Sequence, residues 1–530
     1  MSGWLADAVI YEIYPQSFAD SNGDGIGDFP GVIEHLDHLQ WLGVDTIWFN
    51  PCFASPFVDA GYDVSDYLCV APRYGTNEDL ERLVSEARAR GIRVLLDLVA
   101  GHTSIEHAWF QAELQAGGPD PLGDRYIWAD RDDGMRLYDG VPGADSPWVP
   151  SPGPRPGYYL RNFYDAQPAL NFGYAELRAG EPWRVRPDAP GPQRNVQALR
   201  DIMTFWIERG VAGFRVDMAF SLVKSDPGYR RTLELWRELR DWLAQAHPEA
   251  VLIPEGTEPR SDLPTSFDAD FFLVIQRAHS SLFNNGGAGT LPWYPPEPCF
   301  FDADGAGSTS VFLEEWAAAR DGRPGRPVIL ATADHDFSRL ACGTRDAAQL
   351  GAAYAFLLTW GSIPSIYYGD EIGLRYQPGL PDTEGSVVHP TYNRAGARTP
   401  MQWDGTVSAG FSTSTDTYLP VDPAPDRPTV AAQLADPDST LHLVRRLIAL
   451  RRATPALGAR AATRVLHADY PLVYLRGDSH VVAVNPRRDP ARAELPEIGD
   501  LRPLVAQGAE LKGGGVDLDG FGFGIFELVR

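Results

Sequence analysis

Positive charge, cysteine and long apolar runs are all scarce in this sequence of 530 residues. Lysine and arginine total 46 against 71 aspartates and glutamates, which gives a formal net charge of −25. A chain of this charge repels phosphate backbones and anionic lipid surfaces, so nucleic acid and membranes are excluded as main partners. Because no run of about 20 apolar residues occurs, we also predict no membrane span.

Two further absences bear on where the protein works. Residues 1–7 contain no basic segment followed by an apolar core, so we expect no secretory signal peptide. The few cysteines are far apart and lack the spacing of metal ligands: Cys52, Cys69, Cys299 and Cys342. Scattered cysteines are typical of free thiols in a reducing compartment, and they predict a cytoplasmic protein.

What the sequence does contain is a long alternation of strand-like and helix-like segments. The predicted strands are 8–14, 45–50, 93–99, 213–216, 251–254, 271–275, 327–331 and 362–368. Helical periodicity lies between them, for example over 77–90, 195–210 and 227–246. Eight strands that alternate with helices favour an α/β fold of the closed (β/α)₈ TIM-barrel type over an open sheet.

The alternation is interrupted once and then replaced by another pattern. Residues 101–173 lack periodicity and are rich in proline, glycine and aromatic residues, which indicates an irregular subdomain inserted after the third strand. From residue 454 onward, short alternating segments predict a C-terminal antiparallel β domain. We therefore expect four parts: barrel 1–100, inserted domain 101–173, barrel 174–453 and β domain 454–530.

Polar residues follow several of the predicted barrel strands. They are Asp97 and His102, Arg215 and Asp217, Glu255, and the run Asp334, His335 and Asp336. Each has an ordinary structural explanation by itself, such as a core ion pair for Arg215 and Asp217. A TIM barrel, however, brings the carboxyl ends of all its strands to one mouth, where catalytic groups lie.

Such a mouth suits the cleavage of a glycosidic bond. One carboxyl group must protonate the leaving oxygen, and a second must attack or stabilise the anomeric carbon. Arg215 would keep Asp217 ionised as a nucleophile. The apolar strand before Glu255 would raise its pKa and keep it protonated. His102 and His335 would donate hydrogen bonds to sugar hydroxyls.

Eight stretches strengthen this interpretation. They are YEIYPQSFADSNGDGIGDFPG (11–31), GYDVSDY (61–67), DLVAGHTSIEHAWF (97–110), QPALNF (167–172), GFRVDMA (213–219), IPEG (253–256), ADHD (333–336) and RTPMQWD (398–404). In these stretches and in their order, the chain resembles the α-amylase superfamily, glycoside hydrolase family 13. The similarity is to its α-glucosidase, oligo-1,6-glucosidase and trehalose synthase branch.

The resemblance implies roles for individual residues. Asp217 would be the nucleophile, Glu255 the general acid and base, and Asp336 the third carboxylate. Arg215, His102 and His335 would be partners of the subsite that holds the reacting sugar. Tyr62 would stack on that sugar, and Asp63 with Arg398 would close the pocket around its non-reducing end, which implies exo action on short substrates.

The chain also departs from the pattern of the family it resembles. Gly101 and Asp334 stand where the family usually has asparagine, and Ala169 stands where it has aspartate. None of these changes removes a catalytic group. They do leave the linkage preference open, and Met218, directly after Asp217, does not decide it.

One loop has the pattern of a cation site. Oxygen-bearing groups alternate at Asp20, Asn22, Asp24, the Ile26 carbonyl and Asp28, which is a spacing that suits Ca²⁺. The alternative from the residues alone is a polar, glycine-rich turn. The resemblance implies one structural Ca²⁺ away from the chemistry and no organic cofactor.

Three functions are therefore compared. The leading hypothesis is a retaining α-glucosidase that hydrolyses small malto- or isomalto-oligosaccharides. The second is a glucosyltransferase or an isomerase such as a trehalose synthase, and the third is an inactive carbohydrate-binding relative. A short separation of the Asp217 and Glu255 carboxyls would support a retaining mechanism, whereas a long one would make Glu258 the candidate acid. The oligomeric state is left open.

Overall fold

The structure is a computed structural model that describes residues 3–134, 146–255, 266–272, 274, 276–283, 298–320, 327–343, 345, 347–389, 392–496 and 499–529. Its first strands are β1 (Ile10–Ile13), β2 (Thr46–Phe49), β3 (Phe53–Ala54), β4 (Asp66–Val70) and β5 (Arg93–Val99). The next are β6 (Trp128–Ala129), β7 (Trp148–Pro150), β8 (Tyr158–Leu160), β9 (Gly213–Asp217), β10 (Val251–Pro254) and β11 (Asp270–Phe272). They are followed by β12 (Val328–Ala331), β13 (Ile363–Tyr367), β14 (Val387–His389) and β15 (Tyr392–Asn393). The last are β16 (Thr463–Ala468), β17 (Leu472–Arg476), β18 (His480–Val484), β19 (Ala491–Glu494), β20 (Asp500–Lys512) and β21 (Gly515–Val529).

The helices of the described residues follow the same order. They are α1 (Phe29–Glu34), α2 (Leu36–Leu42), α3 (Asn77–Ala89), α4 (Ala108–Ala116), α5 (Pro190–Glu208) and α6 (Arg230–Ala246). The remainder are α7 (Arg277–Phe283), α8 (Ser310–Arg320), α9 (Ala347–Thr359), α10 (Val430–Ala435) and α11 (Thr440–Ala453).

Eight parallel strands form the barrel that the sequence predicts. Their order in the sheet is β10-β9-β5-β2-β1-β13-β12-β11, and the two strands at its ends, β10 and β11, are consecutive in the chain and contact each other. Every residue of β2, β9 and β13 is buried, as expected for parallel strands covered on both faces. The predicted fold class is therefore confirmed. Ile275, the last residue of one predicted strand, lies outside the described residues.

Helix α3 shows how the sequence sets the boundaries of these elements. Thr76 and Asp79 form a reciprocal capping box at its N-terminus, which satisfies two backbone donors. Its buried face holds Leu80, Leu83, Val84 and Ala87. The helical segment around residue 35 is divided in two. The backbone of His35 is not helical, so α1 ends before it and α2 begins after it.

Besides the two-stranded pairs β3-β4 and β14-β15, two further sheets of the described residues accompany the barrel. After β5 the chain forms the antiparallel sheet β6-β8-β7, which packs a small apolar core that includes Ile127, Trp148 and Leu160. The C-terminal sheet has the order β16-β17-β18-β21-β19, and β20 pairs with β21. Among the helices described, none is long and apolar enough to cross a membrane.

Candidate active site

The carboxyl ends of the barrel strands carry the charged residues that the sequence suggested. Arg215 of β9 lies in register with Asp97 of β5. Glu255 follows β10 directly, and Asp336 follows β12. Because parallel barrel strands end at one rim, the structure brings these groups together with Asp217, the last residue of β9.

Arg215 is the centre of this cluster. It is 2% exposed, and its guanidinium lies over the ring of Trp48 at 5.3 Å. Nη1 lies 2.8 Å from Asp97 Oδ1 and 3.2 Å from Asp217 Oδ1. Nη2 lies 2.8 Å from Glu255 Oε1. One positive charge is therefore shared by three carboxyl groups.

This sharing changes the expectation for Asp217. We expected Arg215 to keep the carboxyl ionised, but the pKa of Asp217 is raised well above its usual range. Burial is the main cause, and repulsion from Glu255 and hydrogen bonding with it add to the shift. Arg215 offsets only part of the effect, because Asp97 and Glu255 bind the same guanidinium. Asp217 therefore holds a proton more readily than an exposed aspartate does.

Glu255 is oriented by the residue that follows Asp217. Its Oε2 accepts a hydrogen bond of 2.8 Å from the backbone N–H of Met218. Met218 has φ 42° and ψ 47°, in the left-handed region, where a residue with a side chain is strained by about 1 kcal/mol or more. The turn therefore directs a backbone donor at Glu255. Glu258, the reserve candidate for its role, lies outside the described residues.

Asp336 is held by two arginines. Arg394 Nη1 and Arg398 Nη2 each lie 3.0 Å from its Oδ1. Burial opposes ionisation here, but the neighbouring His335 and the two arginines outweigh it and lower the pKa of Asp336 below its usual range. Because burial lowers the pKa of His335 to about 3, that imidazole is neutral at pH 7. We therefore attribute the ionisation of Asp336 to Arg394 and Arg398.

The predicted pairing of Asp63 with Arg398 is wrong. Asp63 is fully buried in its own loop, where its carboxylate accepts hydrogen bonds of 2.9–3.0 Å from Ser55 Oγ and from two backbone N–H groups. Burial raises the pKa of Asp63 to about 6. Arg398 binds Asp336 instead, so these two predicted residues belong to different hydrogen-bond networks.

Asp59 and Arg394 form the ion pair that we predicted for Asp63 and Arg398. Arg394 Nη2 lies 2.7 Å from Asp59 Oδ1 and 2.7 Å from the carbonyl oxygen of Gly385. Since Nη1 of the same guanidinium binds Asp336, Arg394 joins the loop after β2 to the loop after β12. Each member of this pair stands four positions before the predicted one, and nothing in the sequence ranks one aspartate or arginine above the other.

Tyr62 and His335 stack on each other, with ring centroids 5.6 Å apart. Tyr62 Oη lies 2.7 Å from His335 Nε2 and 3.1 Å from Asp97 Oδ2. On its other side, His335 Nδ1 lies 2.7 Å from Glu12 Oε1. Glu12 of β1 is fully buried, and burial together with Asp334 raises its pKa. We did not predict Glu12, although an acid within an apolar strand was a signal for it.

His102 is directed toward the protein. Its Nε2 lies 3.1 Å from the carbonyl oxygen of Tyr62, and its Nδ1 lies 3.0 Å from Nδ2 of Asn162, a residue of the inserted segment. Burial lowers the pKa of His102 to about 3, so the ring is neutral. We expected this histidine to donate to a sugar hydroxyl, but both of its nitrogens are engaged by protein atoms.

The predicted calcium loop is closed by its own hydrogen bonds. Asp20 accepts from three backbone N–H groups of the loop, and Asn22 and Asp24 each accept from the N–H two residues further on. Asp28 accepts from Ser21 and Gly31. In the described ranges, no group of three or more His, Cys, Asp or Glu side chains is placed to hold a metal. The calcium ion at Asp20, Asn22, Asp24, Ile26 and Asp28 stays a prediction.

Comparison with known proteins covers most of the chain. Residues 12–185 and 317–459 match the family described as "Alpha amylase, catalytic domain". The chain is 32% identical to a probable alpha-glucosidase of Rhizobium meliloti (strain 1021), over 95% of this chain and 93% of that protein. It is also 32% identical to a trehalose synthase of Pimelobacter sp. (strain R48), over 86% and 81%.

A solved structure extends the similarity to three dimensions. The trehalulose synthase MutB from Pseudomonas mesoacidophila MX-45 matches with a TM-score of 0.83 at 26% identity, over 99% of this chain and 100% of that chain. Structures of MutB mutants hold sucrose, isomaltulose or glucose.

Proposed function

Since this chain belongs to the α-amylase family, whose members act on glycosides, we propose that it is a retaining α-glucoside hydrolase. Its substrates are short malto- or isomalto-oligosaccharides, from which it releases glucose at the non-reducing end. The alpha-glucosidase name of a relative and the saccharides bound in MutB mutants support a small saccharide as substrate.

The observation that carries the proposal is the guanidinium of Arg215 that Asp217 and Glu255 share. Its Nη1 lies 3.2 Å from Asp217 Oδ1, and its Nη2 lies 2.8 Å from Glu255 Oε1. A retaining pair lies about 5–5.5 Å apart, whereas an inverting pair is roughly 6.5–9.5 Å apart because a water must enter between acid and base. Binding to one guanidinium keeps the two carboxyls close together, which favours the retaining arrangement.

The reaction follows from one proton on this pair. Glu255 gives the proton to the glycosidic oxygen while Asp217 Oδ forms a bond to the anomeric carbon, and the bond from that carbon to the leaving oxygen breaks. A covalent glucosyl-enzyme results, and the shortened sugar leaves with the proton. Glu255 then takes a proton from water, whose oxygen attacks the anomeric carbon and releases Asp217. Arg215 stabilises each carboxylate as it forms.

The exo specificity is supported by Arg394, which forms one wall of the substrate pocket. Its guanidinium joins the buried Asp59 to Asp336, whose side chain is partly exposed. Ionised Asp336 accepts hydrogen bonds from sugar hydroxyls beside this wall. A chain that continues beyond the reacting glucose would have to break the pair, so the pocket accepts a terminal residue.

A second function is favoured by two of the relatives. One is a trehalose synthase, and the matching solved structure is a trehalulose synthase. The same glucosyl-enzyme would then pass its glucose to a sugar hydroxyl instead of water, which makes the protein a glucosyltransferase or an isomerase. An inactive carbohydrate-binding relative is disfavoured, because Asp217, Glu255 and Asp336 are all present.

Product analysis separates these functions. The protein is incubated with maltose, isomaltose, sucrose, trehalose and kojibiose, and products are followed by chromatography and by NMR of the first anomer formed. We expect glucose as the main product and the α-anomer first, and no turnover by Asp217→Asn. A disaccharide isomer as the main product would support the transfer function. Equal results for the wild type and Asp217→Asn would contradict the mechanism. The cytoplasmic location and the calcium ion stay predictions.

A further inference from the structure

A lysine without an acidic partner lies behind His102. Lys224 is 4% exposed, and no carboxylate of the described residues forms an ion pair with it. Its Nζ donates to Asn162 Oδ1 at 2.9 Å and to the carbonyl oxygen of Ser221 at 2.5 Å. Burial lowers the pKa of Lys224 to about 7, so below that pH the side chain is an ammonium. Because an ammonium only donates, Asn162 then directs its oxygen at Lys224 and its NH₂ group away from it.

The orientation of Asn162 decides which nitrogen of His102 carries the proton. Asn162 Nδ2 lies 3.0 Å from His102 Nδ1, and an amide NH₂ only donates, so Nδ1 is the acceptor. The proton of the neutral ring is therefore on Nε2. His102 Nε2 lies 3.1 Å from the carbonyl oxygen of Tyr62, to which it donates.

The backbone beside His102 leaves the space that this arrangement needs. A Cβ atom at Gly101 would stand 2.6 Å from Ser221 Oγ and 2.9 Å from Asn162 Nδ2. Both distances are too short for a real contact. A side chain at position 101 would therefore displace Ser221 Oγ and the amide of Asn162 from the positions that they occupy.

We propose that Lys224 and Asn162 are positioning residues that hold His102 as its Nε2–H tautomer, so that His102 donates to the backbone carbonyl of Tyr62. This series of hydrogen-bond donors begins at Lys224 and passes through Asn162 and His102. It ends at Tyr62, whose Oη contacts Asp97 and His335. The role of Tyr62 beside the sugar rests on the proposed function, whereas the tautomer does not.

The tautomer is measured directly by NMR on the full-length protein with ¹⁵N-labelled histidine and no substrate. His102→Gln identifies the signals of His102 by their loss. We expect one protonated nitrogen, Nε2, and we expect Asn162→Leu or Lys224→Met to shift those signals. An Nδ1–H tautomer in the wild type would overturn the proposal, even if both of these variants failed to fold.

Kinetic measurements test whether His102 acts on the site through the backbone carbonyl of Tyr62. A glutamine amide at position 102 can still donate to the Tyr62 carbonyl, whereas leucine cannot. We therefore expect His102→Leu to lose roughly 5- to 100-fold more kcat/KM for maltose than His102→Gln, as expected when a buried acceptor loses its donor. Equal losses in both variants would overturn this route.

Asn195→Leu is the matched control. Asn195 is also a buried amide whose oxygen accepts from a cation, since Arg125 Nη1 lies 3.0 Å from its Oδ1. We expect this variant to be less stable but to keep the His102 signals unchanged. Absence of glucoside turnover in the wild type would contradict the proposed function and leave the tautomer result standing.

Discussion

Replacement of Arg394 by methionine tests how the pocket is closed. Arg394 is 5% exposed, and the change removes its pairs with Asp59 at 2.7 Å and Asp336 at 3.0 Å. Asp336 keeps Arg398, but Asp59, which is 4% exposed, keeps only a hydrogen bond of 2.9 Å from Gln167 among the side chains described. Breaking a buried pair in this way costs about 3–5 kcal/mol of stability.

The consequence for activity is a change of product pattern. With the wall open, a longer chain can extend past the reacting sugar. We expect the wild type to release only glucose from a maltopentaose labelled at its reducing end, and Arg394→Met to release maltose as well. The variant should also unfold at a lower temperature. Arg394→Lys keeps the charge and should behave between the two.

The control is Arg339→Met, which removes another fully buried arginine, one that lies 3.3 Å from Asp370. It should lower the unfolding temperature without changing the products. A double-mutant cycle with Asp59→Asn should show strong non-additivity, because the two residues are in contact. If Arg394→Met releases glucose alone, the assignment of this pair to the pocket wall is refuted.

Three further predictions follow from the buried carboxyls and the loop. Activity should fall as the pH drops through the raised pKa of Asp217, so the acid limb of kcat/KM should lie above the usual aspartate value of about 3.9. Asp97→Asn should move this limb to lower pH, because the change removes a negative charge near Asp217 and frees Arg215 to bind it. The control is Asp370→Asn, which removes another buried aspartate, one whose pKa burial raises to about 7, and it should leave the limb in place. An unmoved limb in Asp97→Asn would argue against the shared arginine. Glu12→Gln should keep kcat/KM within about threefold, because an amide can replace a protonated carboxyl beside His335. Glu12→Leu, which removes the hydrogen bond, should lose roughly tenfold in kcat/KM. Equal losses in the two variants would show that Glu12 is ionised. Millimolar Ca²⁺ should raise the unfolding temperature of the wild type, because it binds the native state, but it should not raise that of Asp24→Asn. If neither calcium nor a chelator changes the unfolding temperature of the wild type, the predicted site is contradicted.

The barrel was predictable because its signals are local and repeated. Its strands are short apolar segments between turn residues, and several of them end near a polar group, as Asp217 ends β9. The boundaries were less accurate where tertiary contacts decide. Helix α5, for example, begins at Pro190, where proline suits the first turn, and not at Asn195, where the apolar periodicity starts.

The errors in the site share one physical origin. Sequence identifies a residue type at a strand end but not the partner that its side chain reaches. Asp63 and Asp59 lie in one loop, and only the folded loop shows that backbone amides bind the first while Arg394 binds the second. The pKa of Asp217 was misjudged for the same reason, because the sequence shows the nearby Arg215 but not the two other carboxyls that share it.

Capture of the covalent intermediate tests the central claim most directly. Glu255→Gln lacks the base that activates water, so an α-glucosyl fluoride, which needs no acid to leave, should glucosylate the enzyme and stop there. Mass spectrometry of the digested protein should place one glucose unit on the peptide that contains Asp217, and Asp217→Asn should remain unlabelled. A label on another residue, or rapid turnover without any label, would contradict a double displacement through Asp217.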